Sequence, residues 1–112
     1  MRNVKSRTLL LSALAGLIGF GVYAAEPAGR ALFEKKCGTC HGNDGRGKTK
    51  MGEKLKVKDF SDPALWKDQT DELLTKSVVD GIAEKKMPAF KDKLSADELQ
   101  SLVGVMRSFQ PK

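Results

Sequence analysis

The sequence is poor in residue types on which most catalytic and nucleic-acid sites depend. Its 112 residues include one His, two Cys, one Trp and one Tyr. A single His leaves no spare imidazole for acid–base catalysis once it has another role. The shortage of Trp and Tyr also removes the aromatic platforms on which nucleic-acid bases stack. We therefore expect neither an enzyme nor a nucleic-acid-binding protein.

The first residues have the layout of a secretory signal peptide. An apolar run over residues 9–22 is preceded by three cations, Arg2, Lys5 and Arg7, and is followed by small residues. We predict cleavage after Ala24, with residues 1–24 as signal peptide and 25–112 as the mature domain. The formal net charge of +6 then loses three positive charges and becomes +3. The alternative is a retained anchor, which would be the chain's one contact with a membrane.

The mature region is predicted to be a small all-α domain of short helices joined by long loops. No segment shows the period-two alternation of a strand. Four helices are expected: one from near Pro27 to the cysteines, one opening at Asp62–Pro63, one from Thr70 to Gly81, and one opened by the capping box of Ser95 and Glu98. A core this small needs a disulfide, a metal or a cofactor to stabilise it. Loops this long in so small a domain indicate that they enclose a large apolar cofactor.

Two stretches are predicted to be irregular. Residues 42–60 are rich in Gly and Lys, with room for one helical turn, and residues 82–94 lack helical periodicity. Lysines are concentrated in these two stretches: Lys48, Lys50, Lys54, Lys56, Lys58, Lys85, Lys86, Lys91 and Lys93.

The segment Cys37-Gly38-Thr39-Cys40-His41 contains both cysteines and the one histidine of the chain. This CxxCH pattern is the attachment signature of a c-type haem. Two thiols one helical turn apart can add to the two vinyl groups of one porphyrin, and the adjacent imidazole can bind its iron. We therefore predict one covalent haem c, bound through Cys37 and Cys40 and ligated axially by His41.

Other interpretations of the motif explain less of it. A disulfide would close a very small loop and leave His41 without a role. A thioredoxin-like redox pair requires a βαβ pattern that the sequence does not show. A structural zinc site would need further Cys or His ligands, and the chain has none.

The second axial position of the iron has three candidate methionines. With no second histidine, a thioether is the strongest soft ligand left. Met106 lies on the apolar face of the last predicted helix, where packing is its expected role. Met51 follows His41 too closely to reach the opposite face without the loop doubling back. Met87 lies in an irregular segment and is followed by Pro88, which stiffens the chain, so we predict Met87 as the ligand.

Taken together, these features resemble the class I cytochrome c family over essentially the whole mature region. The CxxCH after a first helix, Met87-Pro88 in a late loop and an amphipathic last helix occur in the family's order. The resemblance implies a cytochrome c-like fold around one haem, with Gly29 and Phe33 packed against residues 102–106. Many members carry a proline after the motif that accepts a hydrogen bond from the imidazole, and this chain has none between His41 and Asp62.

The expected function is single-electron transfer by a monomer in the periplasm, in a respiratory or photosynthetic-type chain. A dry wall around the ring is expected from Leu55, Phe60, Trp66, Leu74 and Phe90. The lysines of the two loops would steer partner redox proteins with acidic docking surfaces. Two alternatives stay open: an electron-entry subunit of a larger oxidase or dehydrogenase, and a haem sensor with an open site if Met87 does not bind.

Overall fold

The computed structural model describes the backbone of residues 22–112 and the side chains from residue 28 onward. Within that range five α-helices occur: α1 (Val22–Lys36), α2 (Gly38–His41), α3 (Lys50–Leu55), α4 (Asp71–Asp80) and α5 (Ala96–Ser108). Two 3₁₀ turns span Pro63–Trp66 and Ala83–Lys85. The described residues form no strand, only one isolated bridge between Ile82 and Met87. The predicted all-α fold is confirmed.

The predicted signal peptide lies outside the described residues except for its last three. No helix within residues 22–112 is long and apolar enough to cross a membrane. Helix α1 ends at Lys36, as predicted, but begins at Val22 and not near Pro27. Pro27 is therefore the sixth residue of α1 and not part of the first turn, the position that proline ordinarily favours.

The predicted helix starts inside the domain are confirmed by their caps. The Asp62 side chain accepts from the Ala64 N–H at 3.0 Å, and the Thr70 hydroxyl accepts from the Leu73 N–H at 3.1 Å. At α5 the capping box is complete, with reciprocal bonds between Ser95 and Glu98. Each cap satisfies backbone donors that would otherwise lack a partner in the first turn.

The stretch 42–60 contains the one short helix for which the sequence left room. Helix α3 begins after Thr49, whose hydroxyl accepts from the Gly52 N–H at 2.8 Å. Its last residue is Leu55, and Lys56 caps it in the left-handed conformation with φ of 56°. This helix lies against the motif helix α2 and gives the loop a fixed position there.

The first and last helices form the scaffold of the core. Gly29 in α1 approaches α5 so closely that a Cβ there would lie 3.0 Å from the Ser101 Cβ. The expected contact with residues 102–106 therefore has its closest backbone approach one residue earlier, at Ser101. Two helix backbones can approach this closely only where a small residue such as Gly29 leaves room between them. Val105, within the expected contact region of α5, is 1% exposed.

The buried apolar residues come from α1, from residues 60–66, from α4 and from α5: Phe33, Phe60, Trp66, Leu74, Val78, Leu102, Val103, Val105 and Met106. Within this core the aromatic rings touch one another. Phe60 contacts Trp66 edge-on at 6.1 Å and lies 6.1 Å from Phe109, which in turn lies 5.3 Å from Phe33. This aromatic cluster ends at the imidazole of His41, and so it connects the core to the candidate site.

Candidate functional site

Helix α2 is a single turn that presents the three motif side chains together. The His41 N–H donates to the Cys37 carbonyl at 2.9 Å, and the Gly42 N–H donates to the Gly38 carbonyl at 2.8 Å. Both cysteines are free thiols and half-buried, as is His41. One helical turn therefore places two thiols and the imidazole next to each other, as the CxxCH spacing predicted.

The backbone of α2 is held from behind by α3. The Thr49 hydroxyl lies 2.7 Å from the Thr39 carbonyl oxygen and 3.1 Å from that of Cys40, both as acceptors. Gly52 is buried beneath the same turn, and a Cβ on it would collide with the Cys40 carbonyl oxygen. Sequence reasoning missed both residues. The one available signal was Thr49 followed three residues later by Gly52, an N-cap pattern in a loop rich in glycine.

His41 is flanked by aromatic rings and is short of a hydrogen-bond partner. The Phe60 ring stacks on the imidazole at 5.0 Å with an interplanar angle of 21°, and the Phe33 ring lies 6.3 Å away. The buried Nδ1 atom has no partner among the described residues. This agrees with the lack of a proline between His41 and Asp62, since ligating histidines ordinarily donate their second N–H to an outer acceptor.

Burial keeps both ends of the motif uncharged. Desolvation lowers the pKa of His41 below its ordinary value of 6.5, so the imidazole is neutral at pH 7 and its lone pair is free for a metal. Desolvation, and to a smaller extent the nearby Cys40, raise the pKa of Cys37 to about 11. Reactive redox cysteines are instead stabilised as thiolates, so this environment of Cys37 disfavours the thioredoxin-like interpretation.

The three methionines occupy three different environments. Met106 is 7% exposed in the core, and Met51 is 40% exposed on α3. Met87 is half-buried and packs against the edge of the core. Its backbone is paired with Ile82, the two N–H···O distances being 3.0 and 3.1 Å. Met106 thus has the packing role expected of it, and Met87 combines partial exposure with a firmly held backbone.

The predicted apolar wall divides into two groups. Phe60, Trp66 and Leu74 are buried in the core, whereas Leu55 and Phe90 are half-buried, with Phe90 packed against the core. Phe60 has a more specific place than predicted, because its ring covers the imidazole of His41. All nine lysines of the two loops are exposed.

This arrangement of thiols, imidazole and apolar edge, on an all-helical scaffold, defines a small c-type cytochrome. The family model described as cytochrome c oxidase, cbb3-type, subunit III matches residues 24–104, and the chain belongs to this family of c-type cytochromes. The protein therefore carries a covalently bound c-type haem and takes part in haem-based electron transfer.

Solved structures agree with this assignment. The KustC0563 c-type cytochrome is 35% identical, with a TM-score of 0.68, covering 74% of this chain and 98% of its own. A point mutant of Kustc0563 is 37% identical, with a TM-score of 0.65, covering 72% of this chain and 96% of its own. No curated protein sequence matches the chain significantly.

The residues present fit the haem. The two free thiols lie one helical turn apart, the neutral imidazole follows at once, and because Nδ1 is buried, Nε2 is the nitrogen that would bind the iron. Cys37 and Cys40 would hold the porphyrin through thioether bonds, and His41 would bind its iron. The haem would supply a metal that alternates between the ferric and ferrous states.

Proposed function

We propose that this protein is an exported, monomeric carrier of single electrons between redox partners in a periplasmic respiratory or photosynthetic-type chain. In this proposal the iron is bound axially by His41 and Met87. The observation that carries it is the contrast among the methionines. Met87 alone of the three described ones is both half-buried at the core edge and fixed by backbone pairing.

The chain's own residues would serve electron transfer by changing little. His41 is stacked on Phe60 and Met87 is paired with Ile82, so neither ligand needs to move when the charge on the metal changes. The half-buried side chains of Leu55 and Phe90 would help to exclude water from the ring. A thioether as second ligand raises the reduction potential relative to a second imidazole.

The ligand assignment is tested by replacing Met87 with Ala in haem-loaded protein, with Met51→Ala as the matched control. Both substitutions remove one thioether, but Met51 is exposed on α3. We expect Met87→Ala to abolish the weak near-infrared band of an iron–thioether bond and Met51→Ala to retain it. Persistence of the band in Met87→Ala would contradict the assignment. A high-spin ferric spectrum in the wild type would favour the haem sensor with an open site.

A second candidate function follows from the family description, which names a subunit of an oxidase. An electron-entry subunit would remain with a membrane complex during purification, whereas a free carrier would elute as a monomer. Size-exclusion chromatography of material extracted from native membranes and from the soluble fraction separates the two. Recovery only in a stable complex would replace the proposal of a free carrier.

The partners of the carrier are proposed to have acidic docking surfaces. The lysines of residues 48–58 and 85–93 are exposed, and they would attract such surfaces before contact. The bimolecular rate with an acidic partner should then fall steeply as ionic strength rises. A rate that does not depend on salt would show that these lysines do not steer association.

A further inference from the structure

The loop that carries Met87 is closed at its base by a two-bond bridge. The Ile82 N–H donates to the Met87 carbonyl at 3.0 Å, and the Met87 N–H donates back to the Ile82 carbonyl at 3.1 Å. Between them the 3₁₀ turn Ala83–Lys85 is followed by Lys86 in the left-handed conformation, with φ of 60°. The loop therefore has a single backbone path, and its register determines where Met87 lies.

Gly81 makes the close packing beneath this bridge possible. Its φ of 68° and ψ of −177° belong to a region that essentially only glycine occupies. A Cβ on Gly81 would lie 2.6 Å from the Met87 carbonyl oxygen and 2.7 Å from the Ala89 nitrogen and the Pro88 carbonyl carbon. These are backbone atoms, which cannot rotate away as a side chain would. Any side chain at Gly81 must displace residues 87–89.

The chain after Met87 is anchored to the same part of the molecule. The Phe90 N–H donates to the Val78 carbonyl at 2.9 Å, and the Lys91 N–H donates to the Val79 carbonyl at 3.1 Å. Val78 is 3% exposed in the core, so the last turn of α4 is itself rigidly placed. Met87 is thus held on both sides to the end of α4, and Gly81 lies at the point where these two attachments meet.

We propose that Gly81 is a positioning residue for the axial methionine. By allowing residues 87–89 to pack directly on the end of α4, it keeps the Met87 thioether at binding distance from the iron in both oxidation states. This inference rests on the proposed ligation by Met87. The packing at Gly81 determines how strongly the Met87 thioether resists displacement from the iron. The identity of the ligand alone does not explain that strength.

The test compares Gly81→Ala with Gly104→Ala in haem-loaded protein. The chemical change is the same, but Gly104 lies in α5, and a Cβ there meets no atom within 4 Å. Three quantities are measured: the near-infrared thioether band, the reduction potential, and the dissociation constant of the ferric protein for imidazole. Imidazole binds only when Met87 is displaced, so its affinity reports how firmly the thioether is held.

We expect Gly81→Ala to bind imidazole at least about tenfold more tightly than wild type, the effect of ~1.4 kcal/mol on an equilibrium. Its thioether band should weaken and its potential should fall, while Gly104→Ala should match wild type in all three. A Gly81→Ala protein with wild-type band and imidazole affinity would overturn the role of Gly81 alone. A wild type without the band would overturn ligation by Met87, and the present inference with it.

A second variant keeps the test decisive if Gly81→Ala does not accumulate as haem-loaded protein. Insertion of two glycines between Glu84 and Lys85, both exposed, retains Gly81 and lengthens the loop that the bridge closes. A looser loop holds Met87 less firmly, so imidazole affinity should rise while the far-ultraviolet circular dichroism stays that of wild type. Unchanged imidazole affinity in this insertion variant would overturn the inference.

Discussion

Replacing Thr49 with Val tests whether the helix behind the motif supports it. The Thr49 hydroxyl has two roles, since it caps α3 through the Gly52 N–H and donates to the carbonyl oxygens of Thr39 and Cys40 in the motif turn, the bond to Cys40 being part-buried. Loss of a threonine N-cap costs about 1 kcal/mol, and loss of a part-buried hydrogen bond costs about 1 kcal/mol more. We therefore expect Thr49→Val to lower the free energy of unfolding by about 2 kcal/mol.

Thr70→Val is the matched control for this prediction. Thr70 caps α4 through the Leu73 N–H and makes no other side-chain hydrogen bond within the described chain, so its replacement should cost only about 1 kcal/mol. The difference of about 1 kcal/mol corresponds to a separation of roughly 4–8 °C in Tm for a domain of this size. Thr49→Ser should restore most of the loss, because it retains the hydroxyl.

In the assay, the haem-loaded proteins are unfolded by heat and by urea, and circular dichroism monitors the unfolding. If Thr49→Val and Thr70→Val lose the same stability, the bond from Thr49 to the motif contributes nothing. A Ser variant as unstable as the Val variant would show that the lost stability came from packing and not from the hydroxyl.

Two further predictions concern the imidazole and the response to acid. Phe60→Leu removes the ring that pairs with His41, Trp66 and Phe109 and should lower the free energy of unfolding by about 1.5–4.5 kcal/mol, because each of the three aromatic pairs contributes about 0.5–1.5 kcal/mol; an unfolding midpoint equal to that of wild type would refute this. Hydrogen bonds from Ser61 hold the pKa of Asp59 below its ordinary value of 3.8. The stability from this carboxylate is therefore present above that pH and is lost as pH falls through the lowered folded value. Asp59→Asn should unfold with a shallower dependence on pH below 3.8 in acid titration, and an unchanged slope would contradict the assignment.

Features encoded in neighbouring residues were predictable. The CxxCH spacing predicted that Cys37, Cys40 and His41 lie together on one helical turn, and the caps at Asp62, Thr70 and Ser95 marked three helix starts; the structure confirms both. Each of these signals depends on groups a few residues apart, whose relative positions follow from the helix itself. The start of α1 was misplaced for the same reason, since Pro27 is a local preference for the first turn and not a barrier to helix upstream of it.

The assignment of Met87 remains a prediction, and the structure shows why sequence could rank the methionines but not explain the ranking. Exposure of Met51 and burial of Met106 follow from helix faces, which a sequence pattern describes. The pairing of Met87 with Ile82 and its packing on Gly81 depend on how a loop returns to the end of α4. No periodic pattern describes such a return.

The sequence by itself determined which chemistry the chain carries, because covalent attachment needs only two thiols and an imidazole within one helical turn. The tertiary structure alone decided what surrounds that turn: Thr49 bonded to its carbonyls, Phe60 stacked on His41, and Nδ1 without a partner among the described residues. Contacts between residues far apart in the chain depend on how the whole core packs. The identity of the cofactor was therefore encoded locally, whereas the contacts that hold the motif in place arise from the fold.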